Sequence, residues 1–251
     1  MRSMVIHMSS SRARRDNAEK LLLDLPRAAL IEAVDGRDPD QIAHMRCHPG
    51  TLYRPHYPFP LRPAEIGVFL SHRKCWKTLV DSGDDFALIA EDDLTVEPGQ
   101  LATALDLIRE HATPKMYVRM PVKDRERQGD VIAEQTGMRF ILPRTIGLQC
   151  ICQVVGRDAA KRLLRATEEI DRPVDTLLQM HWVTGQLIHA ILPNGNKEVA
   201  QEIGGSTIQV KTSGKGKLKR ELARAAYRTR IAMHPQRFDG KNAAKNLPGQ
   251  D

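Results

Sequence analysis

Three consecutive carboxylates, Glu91, Asp92 and Asp93, follow an apolar run at residues 86–90. Like charges repel and such a triplet cannot continue a buried strand, so the three side chains should lie where the strand leaves its sheet. In an extended segment residues two apart share a face, which directs Glu91 and Asp93 together and Asp92 away from them. Two carboxylates on one side form an oxygen-ligand site suited to Mg²⁺ or Mn²⁺, which complete their coordination with water and phosphate. A solvated acidic loop and an N-cap for the following helix are the alternatives.

The elements that must position these carboxylates alternate between strands and helices. The predicted strands lie at residues 4–8, 29–34, 86–90, 116–120, 138–142 and 149–155. The predicted helices lie at residues 12–25, 63–81, 100–111, 157–169 and 176–184. This order predicts a single α/β domain whose mainly parallel, mixed sheet is flanked by helices, with its ligand site at the carboxyl edge of the sheet.

The composition is that of a globular protein, since the 251 residues are 41% hydrophobic and 27% charged. No segment reaches the roughly 18 uncharged apolar residues of a membrane span. The N-terminus has a basic residue but no apolar region of the kind found in secretory signals. The four cysteines lack the spacing of a structural zinc site and are expected to be free thiols. We therefore expect a cytoplasmic protein.

The net charge of +7 belongs to the C-terminal segment. Residues 211–251 carry eleven Lys and Arg against three Asp and Glu, so the first 210 residues have a net charge of −1. Within this tail, the predicted basic helix at residues 217–233 has a thin apolar stripe made of Leu218, Leu222, Ala225, Ala226 and Met233. Such a helix can bring residues 211–245 against an anionic membrane, and a solvated tail or a helix packed on the domain is the alternative.

Several short motifs occur together in the order found in one known family. They lie at residues 5–8 with Arg12 and Arg15, 33–36, 65–72 with Trp76, 88–94, 173–175 and 206–208. On these motifs the chain resembles glycosyltransferase family 25, the lipopolysaccharide and lipooligosaccharide biosynthesis glycosyltransferases, over residues 4 to 210. It departs from the family at His7 and Met8, where an Asn-Leu pair is more frequent, and at Ala90, where a larger aliphatic residue is usual.

The resemblance implies a GT-A-like catalytic domain at residues 1–210, followed by a basic helical tail at residues 211–251. It also implies a UDP-sugar donor, a divalent cation and inversion at the anomeric carbon. The residues agree with this chemistry, because Mn²⁺ or Mg²⁺ held by Glu91 and Asp93 would stabilise the charge that develops on a leaving diphosphate.

An inverting transfer needs a base, because the acceptor hydroxyl loses its proton as it attacks. Asp175, in a family-like motif after Pro173, is the first candidate. The alternative is that Asp175 only caps the predicted helix at residues 176–184. Glu65 is the second candidate, and its alternative role at the start of a helix is an interaction with the helix dipole.

Other motif residues are expected to bind the donor. Asp35 would contact the nucleotide or its ribose, and Gly36 would let the backbone approach the ligand closely, unless the pair forms an ordinary turn. Ser71 and His72 would line the donor pocket, with a structural role as the alternative. The remaining residues assigned to the donor are Asp92, Arg12 and Arg15, and the two arginines would face either the diphosphate or solvent.

The sequence thus predicts a metal-dependent inverting glycosyltransferase that moves galactose or glucose from a UDP-sugar to a lipopolysaccharide core or a related glycan acceptor. With a lipid-linked acceptor, the tail would hold the enzyme at the inner face of the cytoplasmic membrane. A catalytically silent homologue that binds nucleotide sugar is one alternative. A nucleic-acid-binding protein is another, although an aromatic content of 4% provides few rings for base stacking.

Overall fold

The computed structural model describes residues 1–126, 129–203 and 217–237 of the chain. Three predictions lie outside the described residues: the motif at residues 206–208, the domain boundary at residue 210, and the part of the basic tail that includes Lys211, Lys215, Lys241 and Lys245. In the part of the chain that is described, no helix is long and apolar enough to cross a bilayer.

An eight-stranded sheet forms the centre of the described structure. The strands are β1 (Arg2–His7), β2 (Ala28–Glu32), β3 (Arg46–Cys47), β4 (Phe86–Glu91), β5 (Leu94–Thr95), β6 (Tyr117–Arg119), β7 (Asp130–Gln135), β8 (Met138–Leu142), β9 (Cys152–Gly156), β10 (Glu169–Ile170), β11 (Ile188–Leu192) and β12 (Lys197–Glu198). The order in the large sheet is β2-β1-β4-β9-β6-β11-β8-β7, and two small sheets pair β3 with β10 and β5 with β12.

Helices cover both faces of the sheet. They are α1 (Arg12–Asp24), α2 (Pro39–Ile42), α3 (Pro63–Ser82), α4 (Pro98–His111), α5 (Arg157–Ala166), α6 (Val174–Leu178), α7 (His181–Thr184) and α8 (Lys217–Ala232). One core cluster joins the sheet to α1 and α4, and a second joins it to α3, α5, α6 and α8. The predicted α/β sheet flanked by helices is confirmed.

Six of the eight strands in the large sheet run in one direction, and only β8 and β9 run against them. The carboxyl ends of β1, β4, β6 and β11 therefore meet the amino end of β9 at one edge, which we call the carboxyl edge. The predicted mainly parallel direction and mixed pairing of the sheet both hold.

Strand β4 shows why the apolar run precedes the acidic triplet. Residues 87–90 are completely buried, and they alternate between the two core clusters. Leu88 and Ala90 face the α1 and α4 side, whereas Ala87 and Ile89 face the α3 side. A strand covered on both faces needs apolar residues at every position, and charge returns only where the strand reaches the edge.

Some predicted elements differ from the observed ones. The helix predicted at residues 176–184 is divided into α6 and α7, because Gln179 donates through Nε2 to the Ile146 carbonyl and Met180 is completely buried at the break. The helix predicted at residues 157–169 ends at Ala166, after which β10 pairs with β3. Tertiary contacts override local helix propensity at both places.

The predicted apolar stripe of the tail helix is wrong. Leu222 and Met233 are 63% and 73% exposed, whereas Tyr227 and Ile231, four residues apart, are buried in the core. Burying these two large side chains removes apolar surface from water and stabilises the contact of the helix with the domain. The described part of the tail is therefore packed on the domain, as the alternative expectation held.

Candidate active site

The acidic triplet lies at the carboxyl edge, where Glu91 ends β4 and Asp92 and Asp93 form the turn into β5. The end of β1 lies beside it, because β1 and β4 are parallel neighbours and Ile6 is paired with Glu91. On the other side β9 runs antiparallel, so the residues just before β9 reach the same edge. Four segments distant in sequence thus converge on the triplet: β1, the start of α1, the loop before β9, and β12.

Asp92 is fully engaged within the protein. Its Oδ2 lies 2.8 Å from His7 Nδ1, and its Oδ1 accepts a 2.6 Å hydrogen bond from Arg14 Nη1. Asn17 donates to the Asp92 backbone carbonyl at 2.7 Å, and the Asp92 side chain is only 8% exposed. Asp92 therefore connects β1 and α1 to the triplet, and a bound donor would have to share its oxygens with these partners.

Glu91 contacts His72 on the side that faces the core. Glu91 Oε1 lies 3.1 Å from His72 Nε2, and His72 Nδ1 lies 3.3 Å from Gln153 Nε2. The imidazole is 1% exposed, whereas the Glu91 side chain is 27% exposed. His72 thus supports Glu91 from the core and leaves the carboxylate partly open to the carboxyl edge.

Asp93 is a buried acid surrounded mainly by other acids. Burial, followed by the charge of Glu91, raises the pKa of Asp93 to about 7, although Arg14 acts in the opposite direction. Arg14 Nη1 lies 3.1 Å from Asp93 Oδ2. Asp93 Oδ1 is buried and has no hydrogen-bond partner among the described residues. The negative charge of the carboxylates around Asp93 therefore exceeds the positive charge that Arg14 supplies.

Glu91 and Asp93 fit a divalent cation that takes its other ligands from water and phosphate. A buried carboxylate oxygen without a partner, next to a second, partly exposed carboxylate, is the donor set that Mg²⁺ and Mn²⁺ use in this way. Within residues 1–126, 129–203 and 217–237, no three His, Cys, Asp or Glu side chains are arranged to hold a metal by themselves. Oxygens of a bound diphosphate would have to complete the coordination.

Asp175 lies in the first turn of α6, and its carboxylate has two backbone partners. Oδ1 accepts a 2.7 Å hydrogen bond from the Thr176 N–H, and Oδ2 accepts a 3.0 Å bond from the Gln149 N–H. Burial, then the charge of Asp175, raises the pKa of the Cys150 thiol, and Glu91 also contributes to this rise. Asp175 and Glu91 therefore share a neighbour at the carboxyl edge.

Glu65 occupies a helix cap. It accepts a 2.8 Å hydrogen bond from the Arg62 N–H at the start of α3, and its Oε1 pairs with Arg62 Nη2 at 2.8 Å. Its charge also contributes to the raised pKa of Tyr57, after burial, which is the larger cause. The contacts of Glu65 are those of the alternative expectation, a residue that stabilises the first turn of its helix.

The Asp35 and Gly36 pair follows β2 and packs against α3. Asp35 accepts hydrogen bonds from the Arg37 guanidinium and from the Arg37 N–H, which lower the pKa of Asp35. A Cβ at Gly36 would lie 2.0 Å from the Pro63 carbonyl oxygen, so the close approach that requires glycine is to α3. Ser71 Oγ donates to the Gly67 carbonyl and accepts from the Val34 N–H, which fastens the same loop to the helix.

Arg12 and Arg15 are exposed at the start of α1, whereas Arg14 between them is buried. Burial opposes its charge, but Asp93 and the hydrogen bond to Asp92 raise the pKa of Arg14 above its ordinary value. Arg14 was missed as a site residue, although its sequence position carried a signal. It lies four residues before Ala18 and seven before Leu21, so it belongs to the buried stripe of α1.

Gln149 and Glu198 were also missed. Gln149 Nε2 donates to Glu198 Oε2 at 3.0 Å, and Lys123 Nζ pairs with the same oxygen at 3.1 Å. Glu198 lies opposite Leu94 in the β5–β12 pair, next to Asp93, and its charge contributes to the raised pKa of Asp93. No local pattern marks either residue, because the β5–β12 pair brings Glu198 to the triplet and the pairing of β9 with β4 brings the loop with Gln149 there.

The family of the chain is shown by comparison with known proteins. The family model described as glycosyltransferase family 25 (LPS biosynthesis protein) matches residues 1–178, which include β1, the acidic triplet and Asp175. The chain belongs to glycosyltransferase family 25. The expected family is therefore confirmed, and the mixed α/β architecture is the one that a GT-A-like fold requires.

Curated relatives in this family carry the name procollagen galactosyltransferase. The human procollagen galactosyltransferase 2 is 32% identical over 99 residues, which is 37% of this chain and 16% of that protein. The mouse protein of the same name is 34% identical over 99 residues, again 37% of this chain and 16% of the relative. Procollagen galactosyltransferase 1 of Danio rerio is 35% identical over 92 residues, or 34% of this chain and 15% of the relative. The aligned region thus spans about a sixth of these longer proteins.

Proposed function

We propose that this family 25 glycosyltransferase is a metal-dependent, inverting enzyme that transfers a hexose from a UDP-sugar to a lipopolysaccharide core or a related glycan. The observation that carries the proposal is the buried Oδ1 of Asp93, which lies beside Glu91 at the carboxyl edge and has no hydrogen-bond partner in the part of the chain that the structure describes. The name shared by the relatives favours galactose over glucose as the transferred hexose.

Glu91 and Asp93 would hold Mn²⁺ or Mg²⁺ together with the donor diphosphate. When bound, the cation supplies Lewis-acid stabilisation of the charge that the leaving diphosphate gains. His72 keeps Glu91 in place, and Arg14 balances part of the charge of Asp93. The exposed Arg12 and Arg15, in the first turn of α1 at the carboxyl edge, are the proposed partners of the diphosphate oxygens.

Asp175 is the proposed base. It would accept the proton of the acceptor hydroxyl while that oxygen attacks the anomeric carbon from the side opposite the leaving diphosphate. Its two backbone hydrogen bonds fix the carboxylate, and Thr176 Oγ1 also donates to Oδ1 at 3.3 Å. A further lone pair therefore remains on Oδ2 for the acceptor. Glu65 is the weaker candidate, because Arg62 engages both of its oxygens at the helix cap.

Asp35 and Gly36 are proposed to border the nucleotide, with Asp92, Ser71 and His72 supporting the pocket. The contacts of Asp35 with Arg37 are on the surface, so an incoming ribose can compete for its oxygens. Ser71 and His72 are buried and would act by holding the β2–α3 loop and Glu91 in place.

The tail is proposed to bring the enzyme to the cytoplasmic face of a membrane that carries the lipid-linked acceptor. In α8, buried Tyr227 and Ile231 fix one side of the helix, and Arg220, Arg228 and Arg230 are exposed. Guanidinium groups near an anionic leaflet contribute about 1 kcal/mol each at modest salt.

The proposal is tested by metal-dependent donor binding and turnover. We expect UDP-galactose to raise the melting temperature only with Mn²⁺ or Mg²⁺ present, and we expect Asp93→Ala and Glu91→Ala to lose this shift. Transfer to extracted lipopolysaccharide should be lost in the same variants. Donor and cation binding by the wild type, without turnover on any glycan acceptor, would instead identify a catalytically silent homologue.

A further inference from the structure

The loop before β9 contains a residue in an unusual backbone conformation. Gln149 has φ 80°, in the left-handed region that residues with a side chain rarely adopt. Such a conformation persists only where surrounding contacts enforce it, and it is often found at functional sites. The contacts of Gln149 therefore indicate what this conformation is maintained for.

A buried arginine holds this conformation. Arg119, at the end of β6, donates from Nη2 to the carbonyl oxygens of Leu148 and Gln149, both at 2.7 Å. Its guanidinium also forms a buried ion pair with Glu126. The loop backbone also packs closely against this ion pair, because a Cβ at Gly147 would lie 2.8 Å from Glu126 Oε1. Arg119 thus fixes the two peptide groups that flank the Cα of Gln149. One contains the Leu148 carbonyl and the Gln149 N–H, and the other contains the Gln149 carbonyl.

The fixed conformation presents two donors of Gln149 to two acids. The backbone N–H donates to Asp175 Oδ2 at 3.0 Å, and the side-chain Nε2 donates to Glu198 Oε2 at 3.0 Å. Asp175 lies in α6 and Glu198 lies in β12, so Gln149 joins two carboxylates from elements that are distant in sequence. Gln149 connects the proposed base to the acid that neighbours Asp93.

We propose that Gln149 is a positioning residue for the acceptor side of the reaction, and that Arg119 sets its conformation. The backbone N–H orients Asp175 toward the acceptor hydroxyl, and the left-handed φ is what allows that N–H and the side-chain amide to reach their two acids together. This inference rests on the proposed function of Asp175 as the base.

Two substitutions separate the backbone effect from the amide. Gln149→Gly and Gln149→Val both delete the side-chain amide, but only glycine adopts a left-handed φ without cost, whereas the branched Cβ of valine opposes it. We expect Gln149→Val to have a kcat at least tenfold below that of Gln149→Gly, because small misplacements of a catalytic group cost about 100-fold. The KM for UDP-galactose should be unchanged in both variants.

The same pair in an Asp175→Asn background tests whether Gln149 acts through Asp175. A double-mutant cycle should show that the glycine and valine variants no longer differ in residual kcat, because the oriented base is gone. The metal-dependent thermal shift by UDP-galactose should be retained in every variant, since Glu91 and Asp93 are unchanged. Arg27→Val is the strain control: Arg27 also has a positive φ, of 49°, but lies before β2, at the opposite edge of the sheet.

The outcomes distinguish this inference from the function on which it rests. Wild-type kcat in Asp175→Asn would overturn the assignment of the base. A low kcat in Asp175→Asn together with equal kcat values for Gln149→Gly and Gln149→Val would overturn the positioning role alone. A valine-specific loss that persists in the Asp175→Asn background, or that Arg27→Val reproduces, would also overturn it.

Discussion

At the scale of single residues, the charge of Asp93 destabilises the folded protein, and the size of this effect depends on pH. Its pKa of about 7 in the folded protein lies above the ordinary value of 3.8, because burial and Glu91 disfavour its charge. Between these values the folded state binds more protons than the unfolded state, so this group makes the protein less stable as pH rises through the window. Above pH 7 the full cost is present unless a cation compensates it.

Replacing Asp93 by Asn should therefore stabilise the metal-free protein. At a pH of about 8, with chelator present, we expect a gain of about 1–3 kcal/mol, seen as a melting temperature several degrees higher. At a pH near 4 the gain should disappear, because the wild-type carboxyl is then protonated in the folded state. Asp106→Asn, an exposed acid on α4, is the control. A lower melting temperature for Asp93→Asn at pH 8 would contradict this account.

His72 should tune the affinity for a cation without contacting the cation. Its imidazole lies between Gln153 and Glu91, so His72→Ala leaves Glu91 without its buried partner. Loss of such a supporting contact typically weakens metal binding about 10- to 100-fold. A titration of Mn²⁺ followed by thermal shift measures this effect, and His72→Gln, whose amide can still donate to Glu91, should lose less. Equal affinities for His72→Ala and wild type would show that Glu91 does not need the histidine.

At the scale of secondary-structure elements, α3 and the loop after β2 are packed too closely for any side chain between them. A Cβ at Gly67 would lie 2.7 Å from both the Gly36 nitrogen and the Val34 carbonyl oxygen. These are backbone atoms, so they cannot move aside as a flexible side chain would. The contact places α3, and with it His72, against the carboxyl edge.

Gly67→Ala should consequently be destabilising although alanine is the better helix former. We expect a loss of about 1–3 kcal/mol in the free energy of unfolding, measured by urea denaturation. Gly99→Ala is the matched control in α4, where the nearest atoms to a new Cβ are the flexible carboxylate oxygens of Glu97 at 3.4 Å. Gly99→Ala should leave the free energy of unfolding unchanged or raise it. The same result for Gly67→Ala would mean that the loop after β2 can move away from the new Cβ.

The elements were predictable where one segment alone determines its structure. The strand at residues 86–90 has apolar residues at every position, and the triplet after it could be placed at the carboxyl edge from this pattern. The division between α6 and α7 was not predictable, because Gln179 finds its partner in a loop 33 residues earlier in the chain. Strands β7 and β11 were missed as well, although β11 is a buried run whose only polar residue is His189.

The site was predictable in part for the same reason. Glu91 and Asp93 follow from local sequence, and Arg14 was detectable as a charge on the apolar stripe of α1. Gln149 and Glu198 were not, because their role comes from a left-handed backbone and a two-residue strand pair. The sequence pattern also left Asp92 without a neighbouring cation, whereas the fold supplies His7 and Arg14 from β1 and α1.

At the scale of the whole molecule, charge is distributed unevenly between the domain and the tail. The exposed arginines of α8 should bind anionic vesicles. We expect the triple variant with Arg220, Arg228 and Arg230 changed to Gln to bind vesicles containing phosphatidylglycerol about 100-fold more weakly at low salt, at roughly 1 kcal/mol for each charge. Vesicle sedimentation measures the difference.

A second triple variant separates the position of the charges from their number. Changing Lys20, Arg27 and Arg165 to Gln removes the same charge from exposed positions elsewhere on the domain. This variant should bind vesicles nearly as well as wild type. Equal weakening in the two triple variants would mean that net charge, and not α8, determines the binding.

The helix that carries these arginines also shields a buried cation. Arg172 is fully buried beside Asp171, and its Nη1 donates to the Tyr227 hydroxyl of α8 at 2.9 Å. Arg172 lies three residues before Asp175 in the chain. A protein truncated before residue 217 would expose Arg172 to water next to α6, the helix that carries the proposed base. Inactivity of the truncated protein would therefore indicate a damaged catalytic domain and not a loss of membrane binding.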